Sequence, residues 1–140
     1  GGAWAAPREL LSRVGGLYDR CVTGAGDVAW STAVYGDADA VEMRTYWSSL
    51  LVDAVVEYGR RVSPLVKPIG FVPARAVHLY HGSRKHRQYH ERHQVTVDCG
   101  YDPERHVEYA PNGTLRWATD APAALRAATR NYLHSRKDDD

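Results

Sequence analysis

Five of the chain's seven histidines lie in the stretch HLYHGSRKHRQYHERH, which runs from His78 to His93 and also carries four basic residues. Imidazole nitrogens can bind a metal, and guanidinium groups can bind a phosphate. His78 and His81 form an H-x-x-H pair at the end of a predicted strand, just before Gly82. Two histidines do not complete a metal site, so the remaining ligands would have to come from elsewhere in the protein.

A second set of histidines competes with that pair. If the chain after Gly82 is helical, His86, His90 and His93 fall on one helix face at the spacing i, i+4, i+7 and could hold zinc. Arginine offers paired donors to phosphate oxygens, so the basic residues could instead hold a diphosphate. These basic residues are Arg84, Lys85, Arg87 and Arg92. Both sets could equally form a solvated face without a role.

Composition limits the classes of protein to consider. The chain has 140 residues, which fits a single domain or a fragment of a larger one, and its N-terminal sequence GGAWAAPRELL indicates a piece cut from a longer protein. The net charge is +1, so the basic character is local and nucleic-acid binding is not expected. Cys21 and Cys99 are too few for a disulfide framework, which favours a reduced, cytoplasmic setting. No apolar run is long enough to span a bilayer.

Periodicity and turn residues predict an α+β chain of helices with a few short strands. A short helix is expected from Pro7 to Gly15–Gly16, and Asp27 has the chemistry to cap a second helix. A single long amphipathic helix is predicted over residues 41–62. A strand pair is predicted over residues 69–82, because this stretch is rich in branched residues and bounded by Pro and Gly.

The C-terminal part contains two further predicted elements. Asn112-Gly113 lies between two alternating runs and predicts a hairpin turn. Asp120 is expected to cap a last helix that has Pro122 in its first turn. The expected buried face of that helix consists of Leu125, Ala128, Thr129, Tyr132 and Leu133.

Taken in order, these segments resemble the C-terminal half of a bacterial GT-A type glycosyltransferase of the galactosyltransferase-like, family-2 and family-7 kind. The matching segments are GGAWA at the start, GGLYD at Gly15–Asp19, GAGD at Gly24–Asp27, the long helix, and the histidine-rich stretch. The resemblance covers most of the chain. It implies that the fold is the C-terminal part of a GT-A fold.

The resemblance also implies roles for individual residues. Asp27 would contact the acceptor hydroxyl and act as general base, while Gly1, Gly2, Trp4 and Gly26 would shape the acceptor side. His78 and His81 would face a divalent cation, usually Mn²⁺, that neutralises the departing diphosphate. The segment with Arg87, Tyr89 and Arg92 in an R-x-Y-x-x-R pattern would bind the diphosphate together with Arg84 and Lys85. The partners would be a nucleotide-sugar donor and a sugar acceptor.

One part of the family pattern is missing. The nucleotide-binding βαβ half is missing from these 140 residues, and the D-x-D patterns at Asp37–Asp39 and in the terminal aspartates do not follow a predicted buried strand, so the chain is not expected to catalyse transfer alone. The face that the missing half would cover is expected to be apolar and to favour self-association. The main alternative is a small zinc- or nucleic-acid-binding module that uses His86, His90, His93 and the neighbouring cations. A stable fragment without function is a third reading.

Overall fold

The computed structural model describes residues 4–36, 41–77, 83, 86–89 and 91–136. In this part of the chain, six α-helices and one two-stranded antiparallel sheet are present. The α+β prediction is therefore confirmed, while the assignment to a GT-A fold stays a prediction. No helix among the described residues is both long enough and apolar enough to cross a membrane.

The N-terminal third consists of two short helices. Helix α1 spans Arg8–Val14 and ends at Gly15, whose φ of 82° gives the left-handed conformation that commonly stops a helix. Helix α2 spans Gly26–Tyr35, and its N-cap position is held by Ala25. The prediction that Asp27 caps α2 is wrong, because the N-cap lies two positions earlier, at Ala25, and Asp27 is in the first turn of the helix.

The predicted long helix is divided into two. Helix α3 spans Val41–Tyr46, and α4 spans Ser49–Val62 before a 3₁₀ turn at Ser63–Leu65. The break occurs because the Ser48 hydroxyl accepts a hydrogen bond from the Leu51 N–H at 3.3 Å and so caps α4. Ser48 also donates to the Tyr101 carbonyl oxygen at 2.6 Å, which ties the break to a distant segment.

The core lies mainly between α2 and α4, the two helices that contact each other most extensively. Val55 and Val62 of α4 are completely buried, as is Ala29 of α2. The helices meet at Gly59, where a Cβ atom would lie 3.6 Å from the Cα atom of Ala33, an ordinary van der Waals contact. Of the apolar face predicted for residues 41–62, the side chains of Trp47, Leu51, Val55 and Tyr58 are buried, whereas Leu50 was also expected there and is 46% exposed.

The middle of the chain departs from the sequence prediction. Residues 66–77 contain no strand, so the predicted strand pair is wrong for the described part of that segment, and residues 78–82 lie outside the described residues. Helix α5 spans Glu91–Asp98 and is preceded by a turn at residues 86–89. His86 lies in that turn, so the prediction of one helix face through His86 and His93 is also wrong.

The C-terminal part follows the prediction more closely. Strands β1, Val107–Tyr109, and β2, Leu115–Trp117, pair antiparallel around the Asn112-Gly113 turn. Helix α6 spans Ala123–Ser135, with Pro122 at the N-cap position. Asp120 does not cap this helix, because its carboxylate accepts a hydrogen bond from the Arg105 guanidinium at 2.9 Å. Leu133 is 52% exposed and does not belong to the buried face.

Candidate functional site

The GAGD segment forms a tight left-handed turn that leads into α2. Gly24 and Ala25 both have positive φ values, 99° and 72°, and the Gly24 N–H donates to the Cys21 carbonyl oxygen at 2.9 Å. A Cβ atom at Gly26 would lie 3.2 Å from the Tyr18 carbonyl oxygen, which is closer than most Cβ contacts. The turn therefore needs glycine at two of its positions, and it places Asp27 on the exposed first turn of a helix.

The Arg92 side chain, from the start of α5, lies directly against this turn. A Cβ atom at Gly24 would lie 3.0 Å from Arg92 Nη1 and 3.3 Å from Arg92 Cζ. Only a glycine leaves room for the guanidinium group in its present position. The structure therefore brings together the predicted acceptor segment around Asp27 and the predicted diphosphate segment around Arg92.

Two arginines share one aromatic ring in the R-x-Y-x-x-R segment. The guanidinium carbons of Arg87 and Arg92 lie 4.6 and 4.8 Å from the centroid of the Tyr89 ring. Guanidinium groups stack on aromatic rings and still present their N–H donors at the edge. Among the residues that the structure describes, Arg92 forms no ion pair with a carboxylate. This cluster favours an anion with several oxygen atoms.

His93 supports Arg92 from the protein interior. Arg92 Nε donates a hydrogen bond to His93 Nε2 at 3.2 Å, so that nitrogen carries no proton in this arrangement. The imidazole is buried, and its ring meets the ring of Trp47 edge-on with centroids 6.2 Å apart. His93 is thereby held by the core, and it in turn orients the guanidinium group toward Gly24.

The pKa of the Cys21 thiol depends on the charged groups of the site. Burial and, to a smaller extent, the Asp27 carboxylate raise the pKa of this thiol to about 12, although the Arg92 guanidinium acts in the opposite direction. The carboxylate and the guanidinium therefore both act on one thiol from nearby positions. Opposite charges therefore lie near the thiol on either side of the turn.

The other predicted site residues are placed as follows. Trp4 lies before α1 with 46% of its surface exposed, and Gly26 is the first residue of α2. The predicted positions outside the described residues are Gly1, Gly2, His78, His81, Arg84, Lys85 and His90. The Mn²⁺ site at His78 and His81 therefore stays a prediction.

The zinc alternative also stays a prediction. In the described part of the chain, no three His, Cys, Asp or Glu side chains are grouped so that they could hold a metal ion. The His86 N–H donates to the Ser83 hydroxyl at 3.2 Å within the turn before α5. His93 Nε2 accepts the hydrogen bond from Arg92, so in this arrangement it does not point toward an exposed metal site.

Sequence reasoning missed two residues of this site. Gly24 was noted only as part of a Gly-rich turn, and Cys21 only as a cysteine too isolated for a disulfide. Neither the contact of Gly24 with Arg92 nor the burial of Cys21 leaves a local signal in the sequence. Comparisons of the chain with protein-family models, with curated proteins and with solved structures found no match.

Proposed function

We propose that this chain is the acceptor and diphosphate half of a nucleotide-sugar glycosyltransferase. The proposal rests mainly on one observation, which is that the Arg92 guanidinium lies against Gly24. Gly24 precedes by three positions Asp27, which lies in the first turn of α2. Transfer of a sugar from a nucleotide diphosphate needs a cationic group at the leaving diphosphate and a carboxylate at the attacking hydroxyl. The start of α5 supplies the guanidinium group, which lies against Gly24, and the chain that follows Gly24 supplies the carboxylate of Asp27.

The proposed roles follow from the chemistry of each group. Arg92 and Arg87 would donate hydrogen bonds to the diphosphate oxygens and stabilise the charge that they gain as the bond to the sugar breaks. Tyr89 would hold both guanidinium groups through its ring, and His93 would orient Arg92. The role of this set is to bind and position the diphosphate.

Asp27 would act on the acceptor. In an inverting transfer, its carboxylate accepts the proton of the acceptor hydroxyl, and that oxygen bonds to the anomeric carbon. The bond from this carbon to the diphosphate oxygen breaks, and the diphosphate leaves with the electron pair. The first turn of a helix favours the ionised carboxylate, which is the form that can accept a proton. A divalent cation such as Mn²⁺, held in part by His78 and His81, would supply further charge neutralisation when bound.

Binding of UDP tests this proposal without requiring turnover. Calorimetric titration of UDP into the full chain, with Mn²⁺ present, is expected to give saturable binding. Arg92→Ala removes a charge-assisted contact, which is worth about 1.5–3 kcal/mol, and should weaken the affinity by about tenfold to a hundredfold. Arg92→Lys keeps the charge but loses the planar fork and should give an intermediate affinity.

The matched control is Arg60→Ala. Arg60 is an exposed arginine that pairs with Glu57 on α4, and its removal should leave the UDP affinity unchanged. A His78→Ala/His81→Ala variant, titrated with Mn²⁺ and then UDP, tests the predicted metal ligands. Absence of UDP binding to the unaltered chain, or equal binding by Arg92→Ala, would contradict the proposed role of the segment.

Self-association is a further part of the proposal. Phe71 and Val72 are 89% and 81% exposed, and Val77 is 78% exposed, in a segment without regular structure. Such exposed apolar side chains are typical of an interaction surface. They support the expectation that the chain associates with itself or with a complementary half.

A further inference from the structure

A groove of about 720 Å³ lies between β2 and α6. Its volume is within the range of about 300–1,000 Å³ that small-molecule sites occupy. The residues that line it are Trp117, Ala123, Arg126, Ala127, Thr129, Arg130, Leu133 and His134. None of these residues belongs to the proposed diphosphate site, so the groove is a separate feature of the molecule.

The groove combines an apolar base with a row of cations. Trp117 and Leu133 contribute apolar surface together with the two alanines. Arg126, Arg130 and His134 follow one another at intervals of four residues, so they lie along the same side of α6. The surroundings are therefore suited to a ligand that has both an apolar body and a negative charge.

Among the described residues, no carboxylate forms an ion pair with either arginine of the groove. Helix α6 has no acidic residue, and in the described part of the chain Arg126 and Arg130 form no ion pair. Neighbouring arginines behave differently, since Arg105 pairs with Asp120 and Arg116 pairs with Glu108. Within the described part of this surface, the arginines without an ion pair are therefore those of the groove.

Thr129 lies beneath this surface. It is only 4% exposed, and its Oγ1 is inaccessible to solvent and has no hydrogen-bond partner among the described residues. The hydroxyl therefore belongs to the packing under the groove, and the groups open to a ligand are those of Trp117, Arg126 and Arg130.

We propose that this groove binds a small aromatic anion, that is, a flat ring system that carries a phosphate or carboxylate group. The ring would lie on the alanines and contact Trp117, because aromatic rings pack well against one another and against apolar helix surfaces. The anionic oxygens would accept hydrogen bonds from Arg126 and Arg130, whose forked donors match such groups. The volume of about 720 Å³ between β2 and α6 is large enough for one small molecule.

Naphthyl phosphate is a direct probe of this site. Two-dimensional NMR of the isotope-labelled full chain resolves the indole N–H signals of the tryptophans, and Trp117→Phe identifies that of Trp117. Addition of naphthyl phosphate is expected to shift the Trp117 signal saturably. The double variant Arg126→Gln/Arg130→Gln should weaken the affinity at least about tenfold, as expected for the loss of charged hydrogen bonds.

Three comparisons make the result decisive. Arg60→Gln is the matched control and should bind naphthyl phosphate as tightly as the unaltered chain. Naphthol, which lacks the charge, and inorganic phosphate, which lacks the ring, should each bind at least about tenfold more weakly, because each forms only part of the contacts. Absence of a saturable Trp117 shift, unchanged affinity of the double variant, or equal binding of inorganic phosphate would overturn the proposal.

The outcome is distinguishable from that of the diphosphate site. UDP also joins a ring to phosphates, so both ligands should be titrated into both Arg92→Ala and the double variant. If naphthyl phosphate binds in the groove, its affinity should fall when Arg126 and Arg130 are replaced and should be unaffected by Arg92→Ala. If Arg92→Ala alone weakens naphthyl phosphate, the aromatic anion binds at the diphosphate site and the groove proposal is wrong.

Discussion

Arg92 is the residue through which the two parts of the candidate site meet. Its guanidinium group stacks on the Tyr89 ring, donates a hydrogen bond to the imidazole of His93, and lies where a side chain at position 24 would begin. A flexible side chain with three such neighbours loses little further freedom when it binds an anion, so the affinity gained per hydrogen bond is higher. The surroundings of Arg92 thus favour binding by a preorganised group.

The reactivity of Cys21 tests this geometry directly. Because burial and Asp27 raise the pKa of its thiol to about 12, almost no thiolate is present at neutral pH. In a Cys99→Ser background, Cys21 should react with Ellman's reagent about a thousandfold more slowly in the folded chain than in concentrated urea at about pH 8. Absorbance at a series of reagent concentrations gives both rates.

Two variants should change this rate in opposite directions. Asp27→Asn removes a negative charge that raises the pKa of Cys21 and should speed the reaction. Arg92→Ala removes a positive charge that lowers the same pKa and should slow it. Equal rates in all three folded proteins would show that neither charge lies close to the thiol.

At this scale the site residues stay predictions. Asp27 and the R-x-Y-x-x-R segment come from the family resemblance, and the structure shows that the Arg92 guanidinium of that segment lies against Gly24 of the turn before Asp27. The cap at Ala25 was not predicted, since alanine rarely takes a positive φ and no local rule favours it. The contact between Gly24 and Arg92 depends on how α5 packs, which local patterns do not encode.

At the scale of elements, Ser48 determines where α4 begins. The apolar spacing of Trp47, Leu51 and Val55 continues through the break, so periodicity alone predicted a single helix. The break becomes understandable from hydrogen bonds, because the Ser48 hydroxyl both caps α4 and reaches the Tyr101 carbonyl oxygen. The hairpin, in contrast, was predictable because the Asn112-Gly113 turn is a local signal.

Ser48→Ala is expected to destabilise the protein. The substitution removes the N-cap of α4 and leaves the buried Tyr101 carbonyl oxygen without its donor, with a combined loss of about 1–3 kcal/mol in the free energy of unfolding. Urea denaturation followed by circular dichroism measures the change. Ser49→Ala, at the exposed next position, is the matched control and should cost less than about 0.5 kcal/mol.

Ser48→Thr provides the complementary test. Threonine keeps a hydroxyl that can both accept and donate, so it should retain more of the stability than alanine does. If Ser48→Ala and Ser49→Ala have the same stability, the hydrogen bonds of Ser48 do not fix the boundary between α3 and α4.

At the scale of the whole molecule, Tyr101 connects segments that are far apart in the sequence. Its hydroxyl donates to the Arg20 carbonyl oxygen at 2.7 Å, and its own carbonyl oxygen accepts the hydrogen bond from Ser48. Arg20 also lies over the Tyr109 ring of the hairpin and donates to the Pro103 carbonyl oxygen. The helical part and the hairpin are therefore joined through buried polar contacts around Tyr101 and Arg20.

Buried tyrosines make the stability of this assembly dependent on pH. Burial raises the pKa of both Tyr18 and Tyr101 well above the usual value of about 10. Above about pH 10, the unfolded chain releases these protons while the folded chain keeps them. The free energy of unfolding should therefore be constant with respect to these groups below about pH 10 and fall above it, by about 1.4 kcal/mol per pH unit for each tyrosine.

Urea denaturation at a series of pH values above and below 10 measures this slope. Tyr101→Phe should lower the free energy of unfolding at about pH 8 by about 1 kcal/mol, since it removes the hydrogen bond to the Arg20 carbonyl oxygen. Above about pH 10, the free energy of unfolding of this variant should fall less steeply than that of the unaltered chain, by about 1.4 kcal/mol per pH unit. Tyr35→Phe, at a position that is 64% exposed, is the matched control and should leave the slope unchanged. Tyr101→Phe and the unaltered chain could instead lose the same free energy of unfolding per pH unit. Ionisation of Tyr101 would then not be linked to folding, and the buried hydrogen bond of its phenol would not join the two parts of the molecule.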